Sequence, residues 1–510
     1  MRLRLSIAAL ALGAVLPPAP AAAEFLPSPA RLQGPAPVLR EFTDMLVNRG
    51  GPESERLGRL DAMLAQLPEP TELRGFVQYA RAVHLRHNRR LSEAREAIEE
   101  SIRLLQRYSA PLLFAADMEA YADRPELAAD YLIRASHIDP GIVREYDSQD
   151  LLNLRGRLGD RHDTRRIGRL AERMVAIGWQ GEDLRLRSLL ALDAIRSRVE
   201  AGDVAGARRL VPRLIVPGHI QALLIVDRYR AIWPDIEIWA GSRLEKQWPL
   251  YLRELQARFR ASGDPAAARR YATALREADH YETMVREILP LFDRPLDRQR
   301  DYELVWVAPI VADALARLGR WQEIDVLFGR AAAAWPLGID ANALNIAGNR
   351  ARLLLIGGRT REGLAAIDAV IADARGRRGE VSEPALASMH LARACGLADA
   401  GRDREALDSA SFVLAARDLT DIAELHLCFG RHEAARTALI EGLADERSRD
   451  EVLQFIQPQT GPPMQSDHGR TMQERRRALR ADPVLIAAAQ RHGRVLPFPA
   501  SAGAPPETAR

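Results

Sequence analysis

Lysine is almost missing from this 510-residue chain: Lys246 stands alone, and arginine supplies the rest of the positive charge. A phosphate-cradling GxxxxGK[ST] loop is therefore excluded, and no HExxH or GxSxG pattern occurs. No Gly-rich strand-to-helix turn points to a nucleotide. Neither sign of charge dominates, since 72 basic residues face 69 acidic ones. A nucleic-acid binder would carry a basic excess, so that class is set aside. Beyond the first residues no uncharged stretch is long enough to cross a bilayer, which takes about 20 apolar residues. Runs of β-branched residues are also few. The arginine bias fits a GC-rich genome.

What is present begins with a leader. Arg2 and Arg4 precede the short apolar run Leu5–Leu16. Pro17, Pro18 and Pro20 then interrupt it, and Ala21-Ala22-Ala23 offers a cleavage site. Residues 1–23 read as a signal peptide. The expected location is the periplasm of a Gram-negative bacterium, with secretion as the alternative.

From about Thr71 to Gln457 apolar residues recur at helical spacing, as in Leu91, Ala94, Ile98 and Leu105. A turn phrase also recurs. It is Leu318-Gly319-Arg320, Gly357-Gly358-Arg359, Ala400-Gly401-Arg402 and Phe429-Gly430-Arg431, with Gly202-Asp203 and Gly263-Asp264 earlier. Each glycine suits a helix C-terminus that needs a left-handed residue. A helix–turn–helix unit at this rhythm indicates a repeat array.

Ala312, Leu315, Gly319, Phe328 and Pro336 fall in register, as do Ala351, Leu354, Gly358 and Ile367, with Gly363 where an alanine is usual. Ala394, Leu397, Gly401, Ala406 and Ala410 repeat the pattern, Ala82, Leu85, Ala94 and Ile98 carry it without the glycine, and Ala128, Leu132, Ala135 and Pro140 fit its second half. In these positions the chain resembles the tetratricopeptide repeat (TPR) family. The resemblance implies an all-α, right-handed superhelical solenoid of stacked antiparallel helix hairpins, and a groove that takes a protein or peptide partner. The turn glycines at 319, 358, 401 and 430 are unevenly spaced, and the family's first-helix tryptophan is absent, so the array is degenerate.

The organisation expected is 1–23 signal, 24–70 N-terminal lead and helices, 71–218 first array, 219–250 a Trp-rich junction, 251–457 second array, 458–470 linker, 471–491 C-terminal helix and 492–510 disordered tail. Within 24–70, helices are expected at 36–48 and 54–66. Trp233, Trp239 and Trp248 either fill a joint between helices or form an exposed docking surface. A long open face with no enclosed pocket is expected, with the C-terminal helix capping the last repeat.

His84-x-x-His87 and the neighbours His426, Cys428 and His432 have the residue types of metal ligands, but each group lacks the further ligands zinc needs. His426 is expected to be a core histidine with a hydrogen-bond partner. Cys395 and Cys428 belong to adjacent repeats and read either as a disulfide or as two buried thiols. Arg155, Arg157, Arg161, Arg165, Arg166, Arg169 and Arg173 form one arginine-rich stretch, and Arg470, Arg475, Arg476, Arg477 and Arg480 a second. They are either solvated helix faces or a surface for an anionic glycan or envelope polymer.

The reading is a non-enzymatic periplasmic interaction scaffold with no catalytic, cofactor or metal residues. The alternative is an anionic envelope-polymer binder. A cell-wall enzyme comes third, since a soluble lytic transglycosylase would need a catalytic domain after the superhelix, and 458–510 is too short for one.

Overall fold

The computed structural model describes residues 33–47, 53–181, 183–377, 379–459 and 461–496. The expected signal segment and residues 497–510 lie outside these. The chain is all-α, a TPR-like stack of antiparallel helix hairpins, with no strand among the described residues. A lone antiparallel bridge joins Val226 and Gly493. No helix among the described residues is long and apolar enough to cross a membrane. The contacts divide the chain into two compact units that meet in sequence at Leu214 and Ile215.

The first unit starts with α1 (Ala36–Val47) and α2 (Glu53–Ala65). Then come α3 (Glu72–His87) with α4 (Leu91–Leu104), and α5 (Ala110–Tyr121) with α6 (Pro125–Ile138). After the short α7 (Pro140–Arg144) follow α8 (Ser148–Asp160), α9 (Thr164–Ala176), α10 (Leu184–Glu200) and α11 (Val204–Leu210). Successive helices pair, and α6 also packs on α9, so each hairpin rests on the next. Leu132, Leu154, Leu170 and Met174 are buried where they meet. Burying one such side chain contributes about 1.5–3 kcal/mol.

The second unit opens with α12 (Pro217–Leu224), α13 (Trp233–Ala240), α14 (Gln247–Ser262), α15 (Pro265–Glu277) and α16 (Tyr281–Glu287). Its regular hairpins are α17 (Leu304–Arg317) with α18 (Trp321–Ala334), α19 (Ala343–Ile356) with α20 (Thr360–Gly376), α21 (Glu383–Asp399) with α22 (Asp403–Ala416), and α23 (Leu419–Cys428) with α24 (His432–Ala444). Helices α17, α19, α21 and α23 also pack on one another in sequence and form one row. Last come α25 (Arg449–Phe455), α26 (Asp467–Arg480) and α27 (Pro483–Gln490).

The turns explain why the chain folds back so regularly. Gly319, Gly358, Gly401 and Gly430 all have φ between 68° and 81°. The next N–H reaches back five residues each time: Arg320 to Leu315, Arg359 to Leu354, Arg402 to Leu397 and Arg431 to His426, at 2.8–2.9 Å. That closes the exposed carbonyls of the ending helix. In the first unit Arg89, Asp123 and His162 occupy the same left-handed position without a glycine. The arginine that opens the next helix then grips the glutamate three residues on, in Arg90–Glu93, Arg320–Glu323, Arg359–Glu362 and Arg402–Glu405.

Several expectations need correction. The C-terminal helix begins at Asp467, because Ser466 Oγ accepts from Gly469 N, so the linker is shorter than 458–470. Asp482-Pro483, a step at which the sequence can split this helix, does break it, and Asp482 caps α27. The start of the expected disordered tail is held in place. Arg494 N donates to Ile225 O, Asp227 N to His492 O, and Arg494 pairs with Glu237 at 2.7 Å. The Trp-rich stretch belongs to the second unit. Trp248 is buried, Trp233 donates to Leu223 O and carries the Arg494 guanidinium on its ring, and Trp239 is exposed.

A candidate groove occupied by its own chain

The row α17–α19–α21–α23 is apolar where it meets its outer helices but carries charge on its free side. Asp313, Arg352, Asp399 and Glu424 come from four successive helices of this row and line one cavity of about 290 Å³. Arg352 is 6% exposed and donates to Asp313, while its Nε has no hydrogen-bond partner. Glu424 is 2% exposed.

The other wall is the chain's own C-terminal segment, which corrects the expected open face. Residues 461–466 run along the ends of α16 and α17. Gln465 N donates to Ala316 O at 2.9 Å, Trp321 Nε1 to Gln465 O at 3.0 Å, and Arg317 to Pro462 O. Gly461 lies so near Asp279 and Tyr281 that a Cβ would stand within 2.7 Å of both. Helix α26 then crosses the row toward α23. His468 pairs with Asp399, and Arg475 donates to Leu427 O and Cys428 O, the last carbonyls of α23. Arg476 forks onto both oxygens of Glu424 at 2.7–3.0 Å. Arg436 and His432 hold Asp482 at the far end.

Burial alone would raise the Glu424 carboxyl, but the Arg476 guanidinium outweighs it and holds the group down at about 2. Burial lowers Arg480 to about 10, helped by neighbouring Arg476. Nearby Asp421 moves the other way, up to about 7, through burial and then Asp418 and Glu424.

Cys395 and Cys428 both touch this cavity and are joined as a disulfide, with Cα atoms 5.2 Å apart. The reading as two free thiols is thus overturned. Neighbouring α21 and α23 approach closely enough to bring the two positions to one height. With Cys428 in the disulfide and His432 turned to Asp482, the neighbours His426, Cys428 and His432 do not converge. His426 is half-buried and its Nδ1 has no partner, contrary to the hydrogen bond expected for it. No cluster of three His, Cys, Asp or Glu side chains suited to a metal occurs among the described residues.

The arginine stretches are largely engaged within the fold. Arg155 forks onto Asp193, Arg161 pairs with Asp123 and Glu126, Arg166 with Asp130 and Asp163, and Arg173 binds Ser136. These bonds tie one hairpin to another, which removes the support for a free anion-binding face. Of the second stretch, Arg475 and Arg476 hold the α23 carbonyls and carboxylate, and Arg480 donates to Phe455 O at the end of α25. In the first unit Tyr146 OH donates to Asp117 at 3.1 Å, and burial lifts that carboxyl to about 6.

Sequence reasoning missed Asp313, Arg352, Asp399 and Glu424 as a group. The available signal was a charge set directly against an apolar run, as at Arg352 ahead of Leu353-Leu354-Leu355.

No protein-family model matches this sequence, and no curated protein matches it. Among solved structures the chain is similar to yeast Tom70, at 13% identity and a TM-score of 0.33 over 88% of this chain and 97% of that one. It is also similar to the TPR domain of P58(IPK), at 14% identity and a TM-score of 0.20 over 90% and 100%. A third is the Cut9–Hcn1 hetero-tetramer of the APC/C, at 14% and 0.27 over 82% and 85%. The hairpin pairing and the turns described above are what define the fold.

Proposed function

We propose that this protein is a non-enzymatic interaction scaffold of the periplasm that holds a polypeptide segment against the α17–α19–α21–α23 row. The observation that carries the reading is the occupied groove. An extended stretch followed by a helix lies along that row, met by side chains and by helix-end carbonyls. A surface that accommodates its own chain in this way has the depth and donor–acceptor pattern for another chain. The Cys395–Cys428 bridge supports an oxidising compartment, where disulfides persist.

Immobilised protein exposed to envelope extract should retain a defined partner. The partner should be lost when Asp313 and Asp399 are both changed to Arg. Equal retention by that variant, or turnover of labelled peptidoglycan by the pure protein, would contradict the reading.

A further inference from the structure

We propose that residues 461–480 are a displaceable occupant of the groove, and that the partner replacing them is an amphipathic helix bearing arginine, which docks on Glu424 and Asp399. This rests on the scaffold reading and gives its partner a chemistry.

Three observations carry it. First, α26 is held mainly by charge. Of its fourteen residues only Gly469, Met472 and Leu479 are buried, while His468, Arg475 and Arg476 reach carboxylates or helix-end carbonyls of the row. Helices with few buried apolar contacts open at low cost relative to the core. Second, the segment is flanked by fixed points on both sides. Gln457 Nε2 donates to Leu453 O and Arg494 O, and beyond α26 Asp482 is held by Arg436 while Leu485, Ala488 and Ala489 of α27 are buried. The stretch between can therefore lift while its ends stay fixed. Third, lifting it uncovers a site of definite chemistry. Glu424 would lose its guanidinium and face the vacated groove as an ionised carboxylate. The Cys428 carbonyl at the negative end of α23 would also lose its Arg475 donor, while Leu427 O would keep Gly430 N. A forked guanidinium on a helix satisfies all of these, and an acidic segment satisfies none.

The test uses the full-length chain and a fluorescein-labelled peptide of residues 466–481, followed by anisotropy. Arg476→Glu places a carboxylate opposite Glu424 and should expel α26. That variant should bind the peptide at least about tenfold more tightly than the unaltered chain. A peptide that itself carries Arg476→Glu should lose that gain. Equal binding by both chains, with helicity retained by circular dichroism, overturns the proposal. Should Arg476→Glu fail to fold, the pair His468→Ala and Arg475→Ala removes two clasps and leaves the Glu424 pair intact. It should still raise peptide affinity measurably, and no rise overturns the proposal. A partner retained from envelope extract through residues 33–214, with no peptide bound at the row, ends this inference and leaves the scaffold reading standing.

Discussion

Cys395 and Cys428 are linked one helical turn from the two carboxylates that hold α26: Cys395 precedes Asp399 by four residues on α21, and Cys428 follows Glu424 by four on α23. Residues four apart share a helix face, so the bridge sets the spacing between Asp399 and Glu424.

The bridge spans 33 residues of sequence. Loop-closure entropy for such a span corresponds to about 2–4 kcal/mol. Replacing both cysteines by Ser should lower the unfolding free energy of the second unit in urea melts by that amount, seen as a lower midpoint. An unchanged midpoint would show that packing alone fixes the two helices.

Glu424 makes retention of α26 sensitive to acid. Its carboxyl is depressed from 4.5 to about 2 in the folded protein, so the stabilisation is complete above about pH 4.5 and is lost as pH falls toward 2. A change of that size corresponds to about 3 kcal/mol. Peptic cleavage within residues 467–480, normalised at each pH to the free peptide 466–481, should rise steeply as pH falls over this window, and Glu424→Gln should flatten the profile. A profile identical in the variant would assign the acid response elsewhere.

Asp117 acts with the opposite sign. Burial raises its carboxyl from 3.8 to about 6, so the protonated form is favoured on folding and stability falls as pH rises between these values. The full difference is about 3 kcal/mol. Asn can still accept from Tyr146 OH, so Asp117→Asn should stabilise the first unit at pH 8 by up to that amount and remove the slope in urea melts between pH 4 and 6. Destabilisation at pH 8 would contradict this.

Gly363 stands where the repeat pattern usually has alanine. A Cβ there would meet Leu355 Cδ2 at 2.7 Å and Leu355 N at 2.9 Å, and the backbone atom cannot step aside. Alanine gains about 1 kcal/mol of helix propensity, whereas overpacking costs about 1–3 kcal/mol. Gly363→Ala should therefore lower stability by about 1 kcal/mol in a urea melt. A gain would mean that α19 and α20 separate freely.

The hairpins were legible where a glycine marks the turn, because Gly319, Gly358 and Gly401 take a backbone that few other residues adopt. At Arg89, Asp123 and His162 the same turn is made without that marker, so the first array read less clearly. The groove was legible only as a general expectation. Arg475 and Arg476 appeared as members of a charged stretch, because local sequence does not reveal that Glu424, some fifty residues earlier, lies opposite. The disulfide is not legible for the same reason, since the height at which α21 meets α23 is set by packing. Ser466 and Asp482 did hold the information on where α26 and α27 begin, as side chains that cap the first turn.

The most direct test is amide hydrogen exchange on the full-length chain, comparing residues 467–480 with residues 343–416 before and after Glu424→Gln. The account predicts faster exchange in α26 of the variant, with α19 to α22 unchanged. Exchange that stays the same in α26, or that accelerates equally in both regions, would contradict a separate segment held in the groove by that carboxylate.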